Sequence, residues 1–215
     1  EILTPLSVTL TPTGLPAGRT VLQADGLTGG PEGVPPVISG FSLTMTGPER
    51  VAITGPNGSG KTTCLRLLTG MLQASAGTAR ILVPHAMLDQ TVSLLDPALS
   101  IRDNFRALNP DADERTCRSA LARFMFRADA ALQQTGTLSG GEMLRAGLAC
   151  TIGGNHPPQL LILDEPTNHL DIHAIEQVEA GLRDYDGALL VVSHDADFLE
   201  AIGIDRTIAL SMNGV

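Results

Sequence analysis

Gly55-Pro56-Asn57-Gly58-Ser59-Gly60-Lys61-Thr62 follows the short apolar run Val51-Ala52-Ile53 and opens the helical pattern Cys64-Leu65-Arg66-Leu67-Leu68. Strand, glycine-rich loop and helix in that order are the setting that a Walker A phosphate loop requires. The glycines let the backbone turn tightly and aim successive N–H groups at an anion. The helix that follows adds its positive N-terminal end. Lys61 has the reach for the β- and γ-phosphates of a nucleotide, and the Thr62 hydroxyl suits Mg²⁺. Gly55, Pro56, Asn57, Gly58, Ser59, Gly60, Lys61, Thr62 and Thr63 are therefore the candidate nucleotide-binding residues. Lys61 is also the only lysine; every other basic residue is arginine. A compact, flexible ammonium fits a phosphate cradle where a planar guanidinium fits badly.

The chain around this loop is long enough for one large domain with subdomains, at 215 residues. Being 43% hydrophobic and only 17% charged, it reads as a packed globule and not a disordered chain. Aromatic residues make up 3%, so the core must come from Leu, Ile, Val and Ala. A net charge of −9 argues against nonspecific nucleic-acid binding by the whole surface. Cys64, Cys117 and Cys150 are odd in number and without framework spacing, which points to reduced thiols and a cytoplasmic location. No apolar run approaches the length of a membrane span. The chain starts at Glu1, and further sequence is expected upstream.

Residues 1–48 hold seven of the 14 prolines and eight of the 23 glycines. Short β-like runs lie between them at 6–10, 20–23 and 37–46, so this segment is expected to be mostly antiparallel sheet. Residues 29–36 read as a loop. The helix after the phosphate loop should end near Gly70, and 79–83 reads as a strand before Pro84. Residues 100–134 change character: 101–108 and 113–126 are helical, rich in Ala, Arg and Leu. From Thr137 onward a helix from Met143 to Ile152, a buried strand at 159–163, a helix at 171–185 and a strand at 188–192 follow, with a last strand at 208–210. In the 171–185 helix Ile172, Ile175, Val178 and Leu182 suggest one apolar face. Alternating strands and helices argue an α/β fold with a parallel sheet. The expected organisation is one domain: 1–48 antiparallel β, 49–90 and 135–215 the α/β nucleotide core, 91–134 helical.

Two further stretches carry chemistry. Leu160-Leu161-Ile162-Leu163-Asp164-Glu165 has the form of a Walker B strand, which carries two carboxylates to its C-terminal end, where open parallel sheets bind ligands. Asp164 suits Mg²⁺ through water, and Glu165 suits a general base for the attacking water. In Leu138-Ser139-Gly140-Gly141-Glu142, Ser139 and the glycine amides start a helix with capping-box spacing, another anion-binding shape.

With these motifs in their order and approximate spacing, together with Gln90 and His194, the chain resembles an ABC-type ATPase domain from about residue 20 to 210. The resemblance implies a P-loop ABC fold, ATP and Mg²⁺ as ligands, and ATP hydrolysis. It implies that Gln90 contacts Mg²⁺ or the attacking water, that His194 touches the γ-phosphate, and that Asp171 is the D-loop aspartate. The metal set is then Thr62, Gln90 and Asp164, and the catalytic set Glu165, His194 and Gln90. It also implies that Ser139, Gly140, Gly141 and Glu142 close over nucleotide held by a second ABC domain, in the same full-length chain or in a homodimer. Asp164-Glu165-Pro166-Thr167-Asn168-His169-Leu170-Asp171 is similar to the ABC-F class, two-domain proteins without a membrane part that act at the ribosome. Glu142 resembles the second domain of that class. The alternative is the ATP-binding subunit of a transporter with a membrane permease as partner.

One feature departs from the family. Its members stack adenine on an aromatic residue ahead of the phosphate loop, a contact worth about 1–3 kcal/mol in related sites. Residues 26–33 contain no aromatic and the only tyrosine is Tyr185. Weaker adenine selectivity is expected, or an aromatic supplied from elsewhere. Two smaller patterns have ordinary readings. His169 and His173 stand four apart without the adjoining Glu of a zinc protease. Arg115, Arg118, Arg123 and Arg127 read as a solvated helix face, with contacts to RNA phosphates or a partner as the other reading.

Overall fold

The computed structural model describes residues 9–211, which form two compact units. The first comprises Gly14–Met87, Gln159–Glu165 and the chain from Gly187 onward. It holds strands β1 (Thr20–Gly29), β2 (Ile38–Thr46), β3 (Arg50–Thr54), β4 (Ala76–Ile81), β5 (His85–Leu88), β6 (Leu160–Asp164), β7 (Ala188–Val192) and β8 (Arg206–Ala209). Helices α1 (Lys61–Leu68) and α6 (Ala196–Ala201) belong to it as well; the helices between them, α2 to α5, are in the second unit.

Five strands make one sheet in the order β5-β6-β7-β3-β8, with β6, β7, β3 and β8 parallel. Every residue of β6 and β7 is buried, as expected of parallel strands covered on both faces. Asp164 pairs with Val192, and Val192 with Ile53, so three strands end level at one edge. The phosphate loop, Glu165 and His194 all leave the sheet from that edge.

The other three strands form an antiparallel sheet, β2-β1-β4. β1 is longer than the expected 20–23 segment. Gly26 and Gly29 read as breakers, but register shifts between Ala24 and Leu27 and between Leu27 and Gly29 absorb them as bulges. β4 corrects the sequence expectation twice. It starts and ends earlier than 79–83, and although it lies within 49–90 it pairs with β1 in the antiparallel sheet and not with the parallel core. Both sheets share one core cluster, in which Phe41, Met45, Leu65, Ile162 and Leu190 are fully enclosed. α6 had no clear apolar period over its six residues; it starts where Asp195 accepts a hydrogen bond from the Phe198 amide at 3.0 Å. The run at 6–10 lies largely outside the described residues.

The second unit is helical: α2 (Ile101–Leu108), α3 (Glu114–Arg123), α4 (Gly140–Ile152) and α5 (Ile172–Arg183), within Leu88–Pro158 and Pro166–Asp186. Each helix starts on Ser100, Asp113, Ser139 or Asp171, whose side chain accepts from the backbone N–H three residues on. Buried Asn109 ties α2 to α4 by donating to Phe105 O at 3.0 Å and Cys150 O at 2.8 Å. Along α5, Val178 and Leu182 are fully buried, but Ile172 is 77% exposed. Six positions before Val178, it lies about 120° away around the helix, off the inward face. Arg118 and Arg123 are paired with Glu114 and Asp184. Cys64, Cys117 and Cys150 are free and buried; burial pushes the Cys64 thiol up to about 12.

Phe41→Ala empties a fully enclosed site between the sheets and is expected to cost about 3–5 kcal/mol. Urea unfolding of the two proteins measures this; a loss under about 1 kcal/mol would mean Phe41 is not part of the shared core.

Candidate functional site

At the common strand edge, the backbone turns from β3 into the loop and then into α1. Ser59 N–H donates to Pro56 O at 3.1 Å, closing the turn, and Cys64 N–H donates to Gly60 O at 2.7 Å as the helix begins. Gly60 sits at φ 90°, and a Cβ there would lie 2.5 Å from Val37 Cγ1, so both conformation and space demand glycine. The α1 start leaves its first amides without intrahelical acceptors, facing the site with the positive end of the helix.

Lys61 is nearly enclosed, at 7% exposure. Its ammonium donates to Gly55 O at 2.8 Å and Pro56 O at 3.2 Å, and stands 3.5 Å from Glu165 Oε1. The other Glu165 oxygen is 3.0 Å from His194 Nδ1. A carboxylate only accepts, so Nδ1 carries the hydrogen in this contact. Glu165 itself has φ 49°, a conformation unusual for a side-chain-bearing residue; its N–H is fixed on Val192 O at 2.8 Å. Beside it the Thr62 hydroxyl donates to Asp164 Oδ1 at 3.2 Å. Lys61, Glu165 and His194 thus form one contact chain, with the Thr62–Asp164 pair beside it and Gly55 to Thr63 around them. His194 is the exposed member; the two carboxylates are buried.

These residues fit a nucleotide triphosphate with Mg²⁺. The Ser59 hydroxyl is buried in the loop without a hydrogen-bond partner, which suits an anion oxygen. Thr62 and Asp164 supply adjacent oxygen donors of the kind a hard divalent cation takes.

The remaining sequence candidates lie in the helical unit. Ser139 and Glu142 form a reciprocal capping box: Ser139 N–H and Oγ donate to Glu142 Oε2 at 2.9 and 2.8 Å, and Glu142 N–H donates to Ser139 Oγ at 3.3 Å. Those bonds from Ser139 hold the Glu142 carboxyl below its ordinary range. With its folded value depressed, the cap is intact at neutral pH and weakens as pH falls through that value. A cavity of about 440 Å³ is lined by Ser139, Gly140, Gly141, Glu142 and Asp171. Gly141 is required there, since a Cβ would meet Ala174 Cβ at 2.7 Å.

Arg145 and His169 also line this cavity and were not singled out as site residues from the sequence. Arg145 donates to Phe124 O at 3.1 Å and its guanidinium stands 5.1 Å over the Phe126 ring. Its position one turn after Glu142 was the available signal. His173, with Gln177 2.8 Å away, lines the cavity too. Gln90 is exposed in the turn after β5. Asp89 shapes that turn: its Oδ1 accepts from Thr91 N–H at 3.0 Å and Ser93 N–H at 2.9 Å, and Val92 takes φ 52°. Burial raises the Asp89 carboxyl, but the hydrogen bonds from Ser93 and Thr91 outweigh it and hold it low.

Comparison with known proteins agrees with this geometry. The ABC transporter family model matches residues 38–168. YdiF of Bacillus subtilis is 36% identical over 201 residues, 93% of this chain and 31% of that protein. ATP-binding protein Uup of Haemophilus influenzae is 38% identical over 170 residues, 76% of this chain and 26% of that protein. An ATP-binding cassette sub-family F member 3 homolog of Encephalitozoon cuniculi is 36% identical over 166 residues, 77% of this chain and 29% of that protein. The chain therefore spans about a third or less of each of these relatives. Among solved structures, a dimeric ATP-binding cassette in a post-hydrolysis state with ADP and Pi superposes with TM-score 0.75 at 21% identity, over 90% of this chain and 96% of that one. No helix among the described residues is long and apolar enough to cross a membrane. With its phosphate loop and paired carboxylates at one sheet edge, and more than half its length matched by the family model, the chain belongs to the ABC transporter family of ATP-binding domains.

Proposed function

We propose that this chain is an ATP-hydrolysing ABC domain of the ABC-F kind, and that hydrolysis drives a conformational change in a cytoplasmic, ribosome-associated protein. The observation that carries the hydrolytic reading is the contact chain from Lys61 through Glu165 to His194, beside the Thr62–Asp164 pair. The loop amides, Ser59 and Lys61 bind the phosphates of ATP. Thr62 and Asp164 would hold Mg²⁺, with Gln90 the further ligand that the family resemblance implies, and the ion would neutralise charge on the phosphate oxygens. Glu165 accepts the proton of the attacking water. The backbone of Glu165 is fixed at Val192, and Lys61 and His194 each hold one of its oxygens, so the base is aimed before substrate arrives. His194, exposed at the rim, is placed to sense the terminal phosphate.

Ser139, Gly140, Gly141, Glu142 and Asp171 act in trans, closing over nucleotide bound by a second ABC domain. That domain belongs to the same full-length protein, in which Glu142 marks this chain as the second ABC domain, or to a second copy. The sub-family F reading is supported by Asn168-His169 after the Walker B carboxylates and by similarity to the Encephalitozoon relative named for that sub-family. The three free, buried thiols suit a reducing compartment. The acidic net charge leaves ribosome contacts to segments outside this chain.

Two outcomes are expected in phosphate-release assays. Glu165→Gln reduces turnover about 10²–10⁴-fold while ATP binding persists; unchanged turnover would remove Glu165 from the mechanism. Turnover per chain of the unmutated domain is slow and rises with chain concentration. A full rate independent of concentration would end the trans reading. Cosedimentation of the full-length protein carrying Glu165→Gln with ribosomes tests the cellular setting, and its failure would refute that part alone.

A further inference from the structure

Base recognition at the phosphate loop rests on the residues that border it. Thr62, Asp164 and Glu165 occupy the polar side of the loop, where the terminal phosphate and its cation belong. A nucleotide with its terminal phosphate there would carry its ribose and base away from those groups, and the β1–β2 connection borders the loop at Gly60. The two side chains nearest a Gly60 Cβ are Val37 of that connection, at 2.5 Å, and Ile38, where β2 begins, at 3.1 Å. Ile38 is 1% exposed and committed to the core; Val37 keeps an exposed face. The Val37 backbone is fixed by its N–H donating to Gly29 O at 3.0 Å, so the face is held rigidly against the loop.

No phenylalanine, tyrosine or tryptophan ring is available to do this work instead. The chain has five phenylalanines, one tyrosine and no tryptophan. Phe41, Phe105, Phe124, Phe126, Phe198 and Tyr185 are all buried, the most exposed of them at 4%. The connection itself, residues 30–37, offers one polar side chain, Glu32, which is exposed. A surface of aliphatic carbon contacts any flat base through dispersion alone. It has no π-face to favour purines and no donor–acceptor pattern to read a base edge.

We propose that Val37 is the base platform of this domain, and that the domain consequently binds nucleoside triphosphates with little regard to the base. Affinity comes from the triphosphate. The inference rests on the nucleotide-binding reading above and names the substrate class of that site as nucleoside triphosphates in general.

The test measures Kd for Mg²⁺ complexes of ATP, GTP, CTP and UTP, with tripolyphosphate as the baseless probe, on the wild-type chain and on Val37→Tyr. The four nucleotides are expected to agree within about threefold on the wild type. In Val37→Tyr, ATP and GTP should tighten about tenfold, ~1.4 kcal/mol, with tripolyphosphate unchanged. A wild-type preference for ATP over CTP above about tenfold overturns the proposal. ATP and CTP together above GTP and UTP also overturns it, because that pattern assigns reading to the Glu32 carboxylate and the exocyclic amines. A folded Val37→Tyr with unaltered purine affinity removes Val37 as the platform. The wild-type series decides the specificity claim even if the variant does not fold. Failure of every nucleotide and of tripolyphosphate to bind is a different result, and contradicts the nucleotide-binding reading itself.

Discussion

The site depends on one nearly buried cation. Lys61 is held by two carbonyls of its own loop and by Glu165, in a position with almost no access to water. Neutral carbonyls satisfy the donors of an ammonium but not its charge, and one carboxylate at 3.5 Å offsets that charge only in part. The loop amides and the α1 dipole add positive potential in the same direction. The ammonium and the loop amides thus offer positive charge and donors to a phosphate, while buried Asp164 and Glu165 leave negative charge beside them that suits a cation and a base. A compact ammonium donates to both carbonyls from one atom, which a planar guanidinium with its spread donors does not reproduce.

The sheet makes this arrangement possible. β6, β7 and β3 are parallel neighbours in register, so their C-terminal residues end level. Three separate stretches, 55–62, 164–165 and 193–194, are thereby delivered to one edge by buried strands that cannot slip without exposing their apolar side chains. Glu165 takes a left-handed conformation where β6 ends, and that turn aims its carboxylate between Lys61 and His194. Rigid strands fix the carboxylates, and a strained backbone turns the one that faces the lysine.

Much of this was legible in the sequence because it is local. The phosphate loop and the Walker B strand are contiguous patterns with fixed spacing, and the Ser139–Glu142 cap is a four-residue motif. His194 was not legible from its own surroundings: a histidine after a buried strand carries no mark, only family resemblance named it as a γ-phosphate contact, and its bond to Glu165 emerged from the fold. Features that depend on tertiary pairing were misjudged. β1 runs through Gly26 to Gly29 because strands on both sides hold it across its bulges. β4 leaves the parallel core for the antiparallel sheet, which its own residues do not announce. Ile172 reads as part of an apolar stripe but falls off it by the geometry of the helix. Val37 was invisible for the same reason, since its importance lies in contact with a glycine 23 positions away.

The account stands on Lys61 as the cation that makes the loop a phosphate site. Calorimetric titration of Mg²⁺·ATP into the wild-type chain and into Lys61→Ala measures this directly. The account predicts saturable binding to the wild type and a loss of at least about tenfold in affinity for the variant, ~1.4 kcal/mol or more, with the fold intact by circular dichroism. Equal affinity in a folded Lys61→Ala would contradict it.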